Sequence, residues 1–281
     1  MPKESIAVLL NPVQNQKRKK ILQQVLLKLN QNNIKPEVFR ETWPTEINNF
    51  KQAWIIGGDG TLNYFMNYYR DINIPIAIFK GGTGNDFAWK LYGEMNSENQ
   101  IEHILKCETK PVDAGICNDK VFINGIGIGF DGEVLKSITT IRRMGGHLGY
   151  LWIVLKKIFS FNEFTFNIDN NEATQTEKYL LVLITNSSRT GGGFLVSPQA
   201  DIHDGKLNMI LCNPLSIISR LKYLPLIEKG KHLKKPFIQH SKIAEVKISC
   251  KQEVYAQLDG ELIRDTTFDI RILPDKYLFL Y

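Results

Sequence analysis

Hydrophobic and polar positions in the first part of the chain follow two alternating rhythms. Residues 6–10 (IAVLL) form a short continuous apolar run ended by Asn11 and Pro12; after it Ile21, Leu22, Val25, Leu26 and Leu29 recur at helical spacing. A strand and then an amphipathic helix are predicted. Further extended pieces are read around residues 37–39, at AWII before Gly57 and at residues 74–79, and this alternation predicts a mostly parallel sheet. From about Pro111 the rhythm changes. Short strand-like segments crowd together at residues 121–124, 163–168, 179–185, 206–211, 244–249, 253–258, 266–272 and 277–280, with helical patterns only at 148–158 and 215–229. That density predicts a β-sandwich or barrel-like second half.

Two glycine turns, GGDGTLN from Gly57 and GGTGNDFA from Gly81, each stand between a buried strand and a helix start. Ligands collect at the carboxyl ends of strands in open parallel sheets, where both turns are expected. Glycine lets backbone N–H groups approach an anion and the following helix adds its N-terminal dipole, so phosphate is the natural guest. An ionised Asp59 beside phosphate needs a cation between them or a different partner, and a nucleoside triphosphate with Mg²⁺ satisfies that need. Asp59 is therefore expected to touch the metal or to orient another catalytic carboxylate. The plainer reading is a tight turn capped by Asp59 or Thr61, with Asp86 capping the helix after the second turn. No GxxxxGK[ST] occurs, and a GxGxxG with a downstream ribose-binding acid is absent from both turns.

Composition changes this picture in a few places. At 281 residues, 43% apolar and 23% charged, the chain suits two ordinary globular domains. Its four cysteines form no metal spacing and the first residues lack the pattern of a secretory leader, so a cytoplasmic protein is expected. No apolar run approaches the ~20 residues of a spanning helix; membrane contact is expected to be peripheral. A net charge of +6 favours anionic partners, yet no nucleic-acid recognition pattern is present. Arg220, Lys222, Lys229, Lys231, Lys234, Lys235 and Lys242 lie among aliphatic and aromatic residues, a pattern that suits an anionic bilayer or a solvated basic face. HLGYLWIVLKKIFSFNEF, from His147, reads as the wall of an acyl-chain pocket or as plain core. The histidines show no metal spacing, and Ser187 and Ser188 lack the surroundings of a nucleophile.

The pair of glycine turns at this separation closely resembles the catalytic domain of the diacylglycerol kinase and sphingosine kinase superfamily, especially the soluble bacterial lipid kinases. NGIGIGFDGEV from Asn124, GGGFLVSPQADIHDGKLNM from Gly191 and LDGE from Leu258 extend the resemblance over nearly the whole chain. It implies a Rossmann-like, phosphofructokinase-like α/β domain at residues 1–115, rejoined by a final strand at 273–281, and a β-sandwich lipid-substrate domain at 116–272. It implies ATP contacts at Asn11, Thr42, Gly57, Gly58, Asp59, Gly60, Thr61, Leu62, Asn63 and Thr83, and a base at Asp259 or Glu261 with Asp59 close by. It further implies a structural magnesium site at Asp204 and backbone oxygens near Asp201 and Lys206, where a simple turn is the alternative. LDGE taken alone reads first as an ordinary hairpin turn. One departure stands out: the family's NPxxG glycine is missing from NPVQNQKRKK, and Lys17 to Lys20 either compensate electrostatically or form a solvated helix start. The expected activity is ATP- and Mg²⁺-dependent phosphorylation of a lipid hydroxyl, diacylglycerol or a related glycerolipid, at the inner membrane face. A soluble NAD or sugar-phosphate kinase and a non-catalytic nucleotide- or lipid-binding regulator are the alternatives. Oligomeric state is left open, a homodimer included.

Overall fold

The computed structural model describes residues 5–13, 15–140, 147–170 and 173–281. Gln14 of NPVQNQKRKK and the side chains of the first five residues from His147 lie outside the described residues. Contacts divide the chain into two compact units, Met1–Val112 with Asp275–Tyr281, and Asp113–Pro274.

The first unit alternates strand and helix: β1 (Ile6–Leu10), α1 (Gln16–Gln31), β2 (Pro36–Phe39), β3 (Gln52–Gly57), α2 (Asp59–Tyr68), β4 (Ile76–Lys80), α3 (Asp86–Tyr92) and α4 (Ser97–Ile104). The four strands are parallel in the order β4-β3-β1-β2, with Ile6 beside both Pro36 and Gln52 and Ala53 beside Ile76. Every residue of β1 is buried, as are Ala53 to Ile56 and Ile76 to Phe79. Such continuous apolar runs belong to strands covered on both faces. Helix α1 buries Ile21, Leu22, Val25 and Leu29, and the Asn15 side chain caps it by accepting from Arg18 N. The last residues of the chain are fixed here too. Phe279 pairs with Ile76, the Tyr92 hydroxyl donates to Leu280 O at 2.7 Å, and the Tyr277 hydroxyl donates to Met66 O at 3.4 Å.

The second unit begins within β5 (Thr109–Cys117) and continues through β6 (Lys120–Phe122), β7 (Gly125–Gly129), α5 (Phe130–Thr140), α6 (His147–Ser160), β8 (Phe164–Asp169), β9 (Thr174–Tyr179), β10 (Leu181–Thr185), β11 (Leu207–Cys212), α7 (Ile217–Glu228), β12 (Ile238–Ile243), β13 (Glu245–Leu258) and β14 (Glu261–Leu280). Antiparallel neighbours run β12-β11-β10-β7-β13-β14, and β13 also pairs with β8, which pairs with β9. A core including Phe122, Ile128, Phe166, Tyr179, Leu211, Ile248 and Phe268 lies among these strands. Gly132 lets α5 approach β13: a Cβ there would stand 2.1 Å from Tyr255 O.

Three sequence expectations change. The apolar run 179–185 divides at Leu180, because Tyr179 ends a hairpin with β8 while Leu181 opens a strand between β7 and β11. The segments 244–249 and 253–258 are one strand with an irregularity between Ser249 and Val254, and 266–272 and 277–280 are likewise one strand. The segment NGIGIGFDGEV is both the buried strand β7 and the start of α5.

Candidate functional site

In the first unit the parallel strands bring Asn11, Gly57, Gly58, Gly81 and Gly82 to one edge of the sheet. The two glycine turns touch backbone to backbone: a Cβ on Gly82 would lie 2.5 Å from Gly58 Cα, and one on Gly58 2.8 Å from Gly82 Cα. Gly57 is closed off in the same way, since its Cβ would meet the Thr61 side chain at 2.4 Å. These glycines are required by packing. Gly60 differs, having nothing within 4 Å of where its Cβ would be. The N–H groups of Gly60, Thr83 and Gly84 have no hydrogen-bond partner among the described residues. Uncommitted donors beside open space at the carboxyl ends of parallel strands fit a polyphosphate.

Side chains hold the turns in register. The Asn11 amide donates to Thr61 Oγ1 at 2.7 Å. Asn85, at φ 54°, accepts from Gly82 N at 2.7 Å and donates to Gly82 O at 2.8 Å, closing the second turn on itself. Asp59 reaches from the first turn to the helix after the second: its oxygens accept from Asp86 N and Phe87 N, both at 3.0 Å. An anion at the start of α3 is favoured by that helix's dipole and by its otherwise unpaired N–H groups. This carboxylate therefore links the two turns. Thr42 and Thr83 are exposed, while Thr61 and Asn63 are buried and Leu62 is wholly in the core, which leaves only its main chain near the turn. Trp43 beside Thr42 packs edge-on against Tyr64, whose ring stacks with Tyr68; both tyrosines are exposed.

In the second unit LDGE is a two-residue hairpin, with Leu258 paired to Glu261 and positive φ at Asp259 (47°) and Gly260 (89°). Aspartate tolerates that region better than most residues. Asp259 is 5% exposed, and its carboxylate accepts from Ile123 N at 2.7 Å, Asn124 N at 2.9 Å and Gly125 N at 3.0 Å. Gln257 accepts from Gly260 N at 2.9 Å and donates to Thr190 Oγ1 at 3.2 Å. Glu261 is exposed, and its carboxylate has no hydrogen-bond or ion-pair partner among the described residues. Of the two acids in this motif, one is spent on backbone and one is available for chemistry.

Sequence reasoning passed over Asp131, at the first turn of α5. Burial pushes its carboxyl up to about 6, against the lowering effect of a hydrogen bond from Gln257. Its only sequence signal was its place within NGIGIGFDGEV. Arg18 was also passed over, having been grouped with a basic run read as a compensating patch or a solvated helix start.

The residues expected to hold a structural metal form a turn. Asp201 accepts from His203 N at 3.1 Å, Asp204 accepts from Lys206 N at 3.0 Å, and Gly205 N donates to Asp113 at 2.8 Å. The Lys242 ammonium pairs with Asp204, so the carboxylate is already neutralised by a cation of the chain itself. Among the described residues no group of three His, Cys, Asp or Glu stands close enough to hold a metal ion. The Asp204 side chain is thus committed to Lys242 and to its own turn.

Beneath α7 lies a pocket lined almost wholly by apolar side chains, among them Phe130, Ile158, Leu181, Leu215, Tyr223 and Phe237. On α7, Leu221, Leu224 and Ile227 are partly buried against neighbouring apolar clusters. Trp152, Phe159, Ile217 and Ile218 are exposed on α6 and α7. The bonds from Arg220 to Ile158 O and Phe161 O, 2.9 and 3.0 Å, bring the start of α7 to the end of α6. No helix among the described residues is long and apolar enough to cross a membrane.

The model of the diacylglycerol kinase catalytic domain matches residues 5–117, and that of the YegS C-terminal NAD kinase beta sandwich-like domain matches residues 124–280. A Staphylococcus carnosus protein named "Putative lipid kinase" is 26% identical over 240 residues, covering 81% of this chain and 76% of the relative. The fold matches the crystal structure of "a putative diacylglycerol kinase" from Bacillus anthracis with a TM-score of 0.81 at 22% identity, covering 100% of this chain and 96% of the other. It also matches an NAD kinase from Archaeoglobus fulgidus solved in complex with ATP, with a TM-score of 0.58 at 13% identity, covering 99% and 93%.

Proposed function

Since the chain belongs to the lipid kinase-like family that joins a diacylglycerol kinase catalytic domain to a YegS-type C-terminal domain, we propose that it transfers the γ-phosphate of ATP to the hydroxyl of a diacylglycerol or related glycerolipid. The triphosphate lies on the first unit's glycine turns, where the N–H groups of Gly60, Thr83 and Gly84 are free to donate. Phosphoryl transfer asks mainly for positioning and neutralisation of charge. Magnesium brought with the nucleotide supplies part of that neutralisation. Glu261 takes the proton of the acceptor hydroxyl, while Asp259 holds the hairpin that presents Glu261 and Asp59 holds the two turns together.

One observation carries the choice of a lipid acceptor: large apolar side chains left exposed on two helices, Trp152 and Phe159 on α6 and Ile217 and Ile218 on α7. A soluble acceptor has no use for such a surface, whereas the edge of a bilayer does. Exposed Trp152 and Phe159 on α6, together with lysines on α6 and α7, suit peripheral contact with an anionic inner membrane face.

The test is transfer of radiolabelled γ-phosphate from Mg²⁺–ATP to mixed-micelle diacylglycerol, monoacylglycerol and sphingosine, with NAD and sugar phosphates as soluble acceptors. Label in an organic-soluble product is expected. Label confined to a water-soluble product would replace this reading with a soluble kinase.

A further inference from the structure

Arg18 occupies an unusual position for a residue in the first turn of a helix. Its Nε donates to Gly81 O at 3.0 Å and its Nη1 to Asn11 Oδ1 at 3.0 Å, with a second, short contact from Nη1 to Val13 O. The side chain thus spans from the turn after β1 to the turn after β4; a Cβ on Gly81 would sit 3.2 Å from its Cγ. Nη2, with two N–H donors, has no partner among the described residues, and no carboxylate there pairs with the guanidinium. The first turn of α1 contains no acid, so Lys17, Arg18 and Lys19 stand together against the positive end of the helix dipole. A half-buried cation in such a place, anchored on one edge and bare on the other, is arranged for an anion from outside the chain.

We propose that Arg18 is the residue that grips the nucleotide's terminal phosphates, its Nη2 edge donating to phosphate oxygens beside the glycine turn to which its Nε is anchored. This rests on the reading that the first unit binds ATP. A guanidinium offers a planar fork that matches phosphate oxygens, and two of its three nitrogens are already fixed, so little freedom is lost when the third binds. The ligand class is a polyphosphate ester; the nucleoside plays no part in this contact.

Equilibrium binding of ATP and of adenosine to the wild type, Arg18→Gln and Arg18→Lys tests the proposal. Arg18→Gln should weaken ATP at least ~10-fold, as expected when a charge-assisted hydrogen bond is lost, and leave adenosine unchanged. Arg18→Lys, which keeps the charge without the fork, should show an intermediate loss, and it serves as the test where Arg18→Gln does not fold. Unaltered ATP binding in the variants would overturn the proposal. So would equal losses for ATP and adenosine, the mark of a collapsed turn. A wild type that binds ATP through Arg18 but labels no lipid would uphold this inference and end the lipid kinase reading; a wild type that binds no ATP would end both.

Discussion

Replacing Asp259 should destabilise the second unit rather than act on chemistry alone. The carboxylate is 5% exposed and accepts three backbone N–H bonds at 2.7 to 3.0 Å. A hydrogen bond to a charged group contributes about 1.5–3 kcal/mol, and a buried donor left without a partner costs about 1–3 kcal/mol. Asp259→Ala strands three donors, and because such terms are not additive a loss of about 4 kcal/mol is expected. That is a large share of the ~5–15 kcal/mol that holds a domain together. Alanine gains nothing at φ 47°, where it is strained. Asp259→Asn keeps one acceptor oxygen and tolerates that backbone, but turns an amide NH₂ toward a donor; about 2 kcal/mol should be lost. Chemical denaturation followed by circular dichroism gives the two midpoints. An Asp259→Ala protein that unfolds with the wild type yet transfers no phosphate would refute the reasoning and make Asp259 a chemical group.

Gly82→Ala should cost about 1–3 kcal/mol through overpacking and weaken ATP binding, because the new Cβ has to displace the GGDG turn 2.5 Å away; thermal melting and nucleotide titration measure the two effects. Asp131 is protonated more readily in the folded chain, with a pKa of about 6 against an ordinary 3.8, so its contribution is full below pH ~4 and lost as pH rises through ~6, a difference of about 3 kcal/mol. The melting temperature of Asp131→Asn minus that of the wild type should accordingly grow between pH 4 and 7, and a constant difference would contradict this. Lys242→Ala exposes Asp204 without its cation, and its melting temperature should rise with added Mg²⁺ while that of the wild type does not respond.

Much of the first unit was legible because its physics is local. Continuous apolar runs gave the buried parallel strands, and the 3.6-residue rhythm of Ile21, Leu22, Val25 and Leu29 gave α1. The second unit was less so. Tyr179 and Leu181 are neighbours in one apolar run, yet they serve different strand pairs, and nothing in the run marks the division at Leu180. The same limit governs the site. GGDG and GGTG were visible as glycine clusters, but their packing against each other depends on tertiary contact, as does the reach of Asp59 to α3 across 27 residues. Arg18 looked like one of four consecutive basic residues; only the fold turns it inward. The Asp204 motif was legible as a turn, whereas its pairing with Lys242, 38 residues away, was not.

The central claim, a lipid kinase whose acceptor proton goes to Glu261, is tested most directly by comparing γ-phosphate transfer into the organic-soluble product by the wild type and by Glu261→Gln. Glu261 is exposed and lacks a partner among the described residues, so the variant should melt with the wild type and bind ATP equally well, while kcat falls by about 10²–10⁴. Undiminished transfer by Glu261→Gln, or label that appears only in the aqueous phase, would contradict the account.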